Sequence, residues 1–178
     1  GMPILTNVPN SYRTGVEISL RLKPFEKLTW DVNTTLSRNK IMNFKEKIEL
    51  YDNPEWWSFI GHDEKELGET DLSFSPEIIA GSHLSYTIIK GLSVHILSKY
   101  VGKQYIDNTS NEERTIDPYF VNHIRLDYSL KPRIFKELMF QLQVNNVLNE
   151  EYETNAWVYR ARFEEGAEYT DYGYYPQA

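Results

Sequence analysis

The chain has 178 residues, no cysteine and a formal net charge of -7, with 25% of its residues charged. The absence of cysteine rules out a disulfide framework and any thiolate metal site, and the scattered lysines and arginines form no stripe able to neutralise nucleic-acid phosphates, which argues against a nucleic-acid partner. There is no apolar run of about 18 residues and hence no candidate transmembrane helix, and no basic-then-apolar leader opens the chain, so any export signal is expected outside it and the sequence is read as a fragment.

Hydrophobicity alternates residue by residue through six stretches. After Pro3 to Pro9, which reads as a loop entered midway, Tyr12 to Lys23 places Val16, Ile18, Leu20 and Leu22 on one face and Gly15, Glu17, Ser19 and Arg21 on the other. Successive side chains of a strand point to opposite faces, so this period predicts a strand with one apolar side. A short turn, Lys23 to Lys27 around Pro24, leads to Leu28, Trp30, Val32, Thr34 and Leu36 set against Thr29, Asp31, Asn33, Thr35 and Ser37. A long polar segment follows, Asn39 to Ser75. Two looser strands come next, joined by Lys90 and Gly91: Ala80, Leu84, Tyr86 and Ile88 against Gly81, His83, Ser85 and Thr87, then Leu92, Val94, Ile96, Ser98 and Tyr100 against Ser93, His95, Leu97 and Lys99. Beyond the polar segment Lys103 to Pro118, the last pair is Ile124, Leu126, Tyr128 and Leu130 opposing His123, Arg125, Asp127 and Ser129, and Leu138, Phe140, Leu142 and Val144 opposing Met139, Gln141, Gln143 and Asn145. They are joined by Lys131 to Lys136 around Pro132, and Asn149 to the end is again polar.

None of these stretches fits a helical period, and each can cross a bilayer as a tilted strand of roughly 9 to 11 residues. Short and long connections alternate, so in a meander every short turn falls at one end of the sheet and every long segment at the other, as in outer-membrane barrels. The fold class expected is all-β, an antiparallel up-and-down meander of about six long strands. The 13 tyrosines suit an aromatic girdle at the membrane interfaces, with Tyr12, Trp30, Tyr86, Tyr100, Tyr119 and Tyr128 on or just beyond strands.

Few residues suggest chemistry. His62, Asp63, Glu64 and Glu66 crowd one segment but lack EF-hand spacing and read as a solvated acidic loop. His83, His95 and His123 share the polar strand face without a ligand motif, so no metal and no cofactor is expected. Trp56 and Trp57 in the longest polar segment either form an exposed recognition cluster or pack on their own loop. Trp157, Tyr159, Arg160 and Arg162 together suit an anionic or planar ligand. No nucleophile elbow, His-Glu-x-x-His or phosphate loop is present, and an enzyme is not expected.

Several phrases resemble one family. Tyr12-Arg13-Thr14-Gly15-Val16-Glu17, Leu36-Ser37-Arg38-Asn39-Lys40-Ile41, Tyr100-Val101-Gly102-Lys103-Gln104-Tyr105, Asp117-Pro118-Tyr119-Phe120 and Val144-Asn145-Asn146-Val147-Leu148-Asn149-Glu150-Glu151-Tyr152 are similar in order and spacing to the late barrel strands of TonB-dependent outer-membrane receptors, particularly those of Bacteroidetes. Gly173 to Ala178 resembles the loop before the family's final strand. The resemblance covers the whole chain and implies strands 16 to 21 of a 22-stranded transmembrane β-barrel, without the plug domain and the last strand. It implies a Gram-negative outer-membrane location and a parent that imports a scarce nutrient using the TonB complex: an iron-siderophore foremost, otherwise haem, cobalamin or a glycan. Glu17, Arg21, Asp31, His83, His95, His123, Arg125 and Asp127 would face the channel or plug, and Leu20, Trp30, Val94, Leu126 and Phe140 the lipid. Six strands are fewer than the eight of the smallest barrels, so alone the fragment would be an open sheet, a partial barrel or a homo-oligomer that closes one. The rival readings are a soluble all-β ligand-binding module, as a sandwich or small barrel with its apolar faces buried together, and a non-catalytic adhesin or scaffold whose long loops bind protein.

Overall fold

Strands form where the period of two placed them. In the computed structural model, which describes residue 8 and residues 10–177, they are β1 (Ser11–Phe25), the first half of β2 (Leu28–Tyr51), β4 (Ile78–Ile89), β5 (Leu92–Val101), β8 (Tyr119–Leu130) and β9 (Leu138–Val144). They pair antiparallel in the order β1-β2-β4-β5-β8-β9, and the sheet curls into part of a barrel wall. Apart from Val8, the expected loop Pro3 to Pro9 lies outside the described residues.

Register keeps the two faces distinct. Arg21, Asp31, His83, Leu97 and His123 lie in one row across five strands, and Leu22, Trp30, Leu84, Ile96, Ile124 and Val144 in the next. A slip of one residue between any two strands would mix these rows, since the side-chain period is two. The apolar face is open: Val16, Ile18, Leu20, Trp30, Ile96, Leu126, Phe140 and Leu142 are all exposed. Buried apolar residues gather instead at the end of the sheet where the long connections lie. Val101, Tyr119 and Val121 pack there with Tyr152, and Ile106, Ile116 and Ala156 with Val158.

The three long polar segments carry strands of their own, which corrects the expectation of loops. β2 does not stop at the wall but runs for 24 residues, roughly 80 Å of extended chain. A bulge at Met42 and Asn43, with Asn43 at a φ of 53°, marks where it leaves the wall. From Lys40 to Tyr51 it pairs with β3 (Phe59–Asp71), forming a projecting arm. The segment after β5 holds the short hairpin β6 (Gln104–Tyr105) and β7 (Thr115–Ile116). The C-terminal segment is a hairpin of β10 (Tyr152–Phe163) and β11 (Glu168–Gln177). Gly173 to Gln177 therefore lie in a strand rather than a loop, and Ala178 is outside the described residues. β10 docks parallel on the far end of β2, Ala161 to Phe163 beside Glu49 to Tyr51, on the edge that β1 occupies lower down.

Two local devices shape these connections. Gly91 closes the turn between β4 and β5 at a φ of 87°, and a Cβ there would stand 2.4 Å from the Ser129 carbonyl oxygen. After β9, Asn146 takes a φ of 49°, a left-handed conformation that asparagine tolerates better than most residues. Its side chain clasps Glu150 reciprocally: Oδ1 accepts from the backbone N–H at 3.0 Å and Nδ2 donates to the carbonyl at 2.9 Å. The asparagine-rich phrase thus ends a strand and turns the chain over the polar face. One consequence corrects the girdle assignment. Tyr119 points to the polar face, 8% exposed, with its ring stacked on Tyr152 at 4.5 Å.

Asn146→Ala is expected to lower stability by about 2 kcal/mol, from two lost hydrogen bonds and a strained φ, while Asn146→Gly restores only the backbone share. Urea unfolding of the two variants in detergent micelles measures the difference.

Candidate functional site

Two regions hold convergent polar side chains, the polar wall and the cluster of long connections at its end. On the wall the Arg21 guanidinium bonds Asp31 at 2.5 Å across β1 and β2, and Glu17 stands opposite Thr35 on the same face. His83 and His95 occupy diagonal positions on β4 and β5, their Nε2 and Nδ1 atoms 3.0 Å apart. Asp127 on β8 lies behind His95, with Oδ2 at 3.1 Å from His95 Nε2. Asp127 Oδ1 accepts from Gln141 Nε2 at 3.0 Å and lies 3.3 Å from Arg125 Nε. His123 Nδ1 accepts the Asn146 N–H at 3.1 Å, tying the wall to the strand-ending turn. The eight residues expected on the channel face therefore share one side of the sheet. Beside His83 and His123 that side carries a shallow concavity of about 380 Å³, lined also by Asp31, Asn33 and Lys99.

The second region is built by ion pairs and aromatic contacts between connections distant in sequence. Glu46 on the β2 arm, nearly buried, binds Arg160 of β10 and lies 4.0 Å from the buried Arg114 of the β5–β8 connection. Arg114 also holds Asp107 at 2.6 Å and donates to Thr109 Oγ1 at 2.8 Å. Arg162 pairs with Asp63 of β3 and with Glu168 of β11, and Arg160 with Glu168 at 3.0 Å. Asp63, Glu64 and Glu66, read from sequence as a solvated acidic loop, lie on β3, the latter two paired with Lys47 and Lys45. Both Tyr51 and Tyr159 donate to Glu49 Oε2, at 2.9 and 2.8 Å. Burial, then the bonds to Tyr51 and Glu49, push the Tyr159 phenol well above its ordinary pKa.

Trp56 and Trp57 part company. The turn at the tip of the arm is pinned by Asn53 Oδ1, which accepts from the Glu55 and Trp56 N–H groups, and by Asp52 Oδ1, which accepts from Ser58 N–H. It turns the Trp57 ring inward against Tyr51, Phe163 and Tyr169, with centroids 4.9 to 5.2 Å apart. Trp56 is left 73% exposed at the tip. Trp157 is exposed too, and its indole lies across Gly173, where a Cβ would sit 2.7 Å from Nε1. The cluster has two faces: Trp57 and Tyr159 lie on one with Tyr51 and Glu49, and Arg160 and Arg162 on the other with Glu46 and Asp63, while Trp56 and Trp157 are exposed. Glu46, Glu49, Arg114 and Glu168 complete it, and sequence reading singled out none of them.

Solved structures share this architecture. The siderophore receptor PiuA from Acinetobacter baumannii matches with a TM-score of 0.61 at 16% identity, over 93% of this chain and 20% of that one. The ferric yersiniabactin uptake receptor FyuA from Yersinia pestis matches with a TM-score of 0.53 at 19% identity, over 92% and 22%. The fold is that of a stretch of siderophore-receptor barrel. This chain spans about a fifth of the length of either receptor. No family model and no curated protein matches it.

Within that barrel segment, the hairpin β10–β11 is held in part by Glu168, which pairs with Arg160 and Arg162. The Arg162 guanidinium keeps Glu168 below the ordinary carboxylate range, against the opposing effect of burial. A depressed carboxylate adds stability above its unfolded pKa, and that stability is lost as pH falls through the folded value. Acidification below about 4.5 is therefore expected to loosen the hairpin and expose Trp57. Tryptophan fluorescence of the wild-type chain should shift in that window, and Glu168→Gln should remove the part of the shift that comes from this pair.

Proposed function

We propose that the chain is part of an outer-membrane active-transport receptor, whose parent binds a ferric siderophore and imports it with energy delivered through TonB. The observation that carries this reading is a barrel wall with an apolar face that none of the described residues covers and a polar face rich in paired charges. A soluble module would need that apolar face buried in a core of its own. In the parent these strands correspond to strands 16 to 21 of 22, with the plug domain against the polar face and lipid against the other. The strand phrases favour a receptor of the Bacteroidetes type.

The connection cluster stands where ligand arrives from outside. Trp56 and Trp157 are the contacts we assign to substrate, offering flat apolar surface to the chelator. Trp57 and Tyr159 on one face, and Arg160 and Arg162 on the other, fix the arm against the hairpin. Their ion pairs leave a ligand with acidic groups a route of exchange at Arg160 and Arg162.

Uptake of radiolabelled ferric siderophores by cells with and without the full-length parent tests the reading, under iron limitation. Loss of uptake of at least one chelate on deletion is expected, and unchanged uptake of every chelate refutes the iron assignment. Trp56→Ala should weaken surface binding about tenfold, on the order of 1.4 kcal/mol. The membrane faces are tested separately. Leu126→Lys should reduce assembly of the parent in the outer membrane, because a charge near mid-bilayer costs about 2 to 4 kcal/mol. Ser129→Lys, on the channel face, should leave assembly intact, and equal behaviour of the two variants would refute the face assignment.

A further inference from the structure

The histidine pair on the polar wall has the geometry of a metal chelate. His83 Nε2 and His95 Nδ1 face each other at 3.0 Å. Metal–imidazole bonds of about 2.05 Å spanning that separation enclose an angle of about 94°. That is close to the right angle of a tetragonal site and well short of a tetrahedral one. Adjacent imidazole ligands in a tetragonal field suit Cu(II) or Ni(II) better than Zn(II).

Three further features support a ligand role. His95 is 9% exposed, and its other ring nitrogen, Nε2, is buried without an aligned hydrogen-bond acceptor although Asp127 Oδ2 is 3.1 Å away. A carboxylate behind the remote nitrogen of a histidine is the arrangement that orients metal-bound imidazoles and fixes their tautomer. Here the negative charge of Asp127 favours the proton on Nε2 and leaves the Nδ1 lone pair aimed at His83. His83 also lines the open concavity on the wall, which gives water or an exogenous ligand access to the remaining coordination positions. Among the described residues no third histidine or carboxylate converges on this point, so those positions belong to solvent or to an incoming ligand. Asp31 is committed to Arg21, and His123 to the Asn146 N–H.

We propose that His83 and His95 form a two-nitrogen chelate for a divalent late transition metal, with Asp127 as the positioning residue. The site stands apart from the importer reading and needs neither substrate nor TonB. In the metal-free pair His83 carries its proton on Nε2 and donates to His95 Nδ1. On binding, that proton moves through solvent to His83 Nδ1, freeing a lone pair on each facing nitrogen with no net release from the neutral pair. Protonation of either facing nitrogen competes with the metal. The charged groups facing the pair are Asp127 and Arg125 on β8 and Asp31 on β2.

Copper titration of the folded full chain in detergent micelles tests the proposal, read by electron paramagnetic resonance. One equivalent of Cu(II) should bind at pH 7.5 with a tetragonal spectrum and superhyperfine coupling to two nitrogens. His83→Ala and His95→Ala should each abolish the two-nitrogen signal, whereas His62→Ala and His123→Ala should keep it. Asp127→Asn should keep the signal and weaken affinity by about 10- to 100-fold. A wild-type spectrum without two-nitrogen coupling would overturn the chelate without recourse to any variant, as would a signal that survives loss of His83 or His95. In either case the pair is a hydrogen-bonded couple only.

Discussion

Everything in this chain depends on the registered backbone ladder of the wall. Between paired strands the N–H and C=O groups bond across the ladder, and side chains then have no choice of face. With Arg21 opposite Asp31 and Leu22 opposite Trp30, pairing alone delivers charges to one side and apolar groups to the other. The polar side can then satisfy itself laterally, as Asp31 does with Arg21 and Asp127 with Arg125 and Gln141. Diagonal neighbours on one face approach within reach of long side chains, and it is such a diagonal that brings His83 to His95.

The wall also determines where the arm stands. A bilayer core is about 30 Å thick, and β2 is more than twice that length when extended. Its second half therefore projects beyond any membrane the wall could cross. Held only by β3, this arm would be a two-stranded ribbon of marginal stability. The β10–β11 hairpin lends it a third and fourth strand through Ala161 to Phe163, and the Glu46–Arg160 and Asp63–Arg162 pairs fasten it. Removing one partner from a buried ion pair leaves an uncompensated charge, so Glu46 between Arg114 and Arg160 makes the three connections a single unit.

The six wall strands were legible because one face of each must be apolar, which writes the period into the sequence. The arm obeys no such demand. Lys45, Glu46 and Lys47 face Glu66, Lys65 and Glu64 in register, and this opposition of charges was the available signal, readable only once the two segments are set against each other. Hydropathy saw a polar run. The parallel contact of β10 with β2 involves three residue pairs and has no local signature at all. Of the candidate site, the wall residues followed from the period, whereas the separation of Trp56 from Trp57 depends on the Asp52 and Asn53 side chains that shape the turn. The inward position of Tyr119 was legible in principle, since it is one residue out of step with Phe120 and Asn122.

A row of polar side chains interrupts the apolar face, and the pairing rule is met there for most of its polar groups. Ser82, Ser98 and Asn122 share a row with Leu20 and Val32. An unpartnered hydroxyl or amide in an apolar medium costs several kcal/mol, and here the two hydroxyls and the Asn122 amide oxygen find partners, while Asn122 Nδ2 is buried without one among the described residues. The Trp30 indole N–H donates to Ser82 at 2.9 Å, and Ser98 donates to Asn122 Oδ1 at 2.6 Å. The Asn122 backbone carbonyl accepts from Val147 N–H at 2.9 Å, one residue past the left-handed Asn146. That bond carries the ladder beyond the assigned end of β9 as far as Asn122, beside the row of polar side chains. The break in the apolar pattern and the end of the ladder are therefore neighbours, and the asparagine turn that ends the strand also carries the chain over to the polar face.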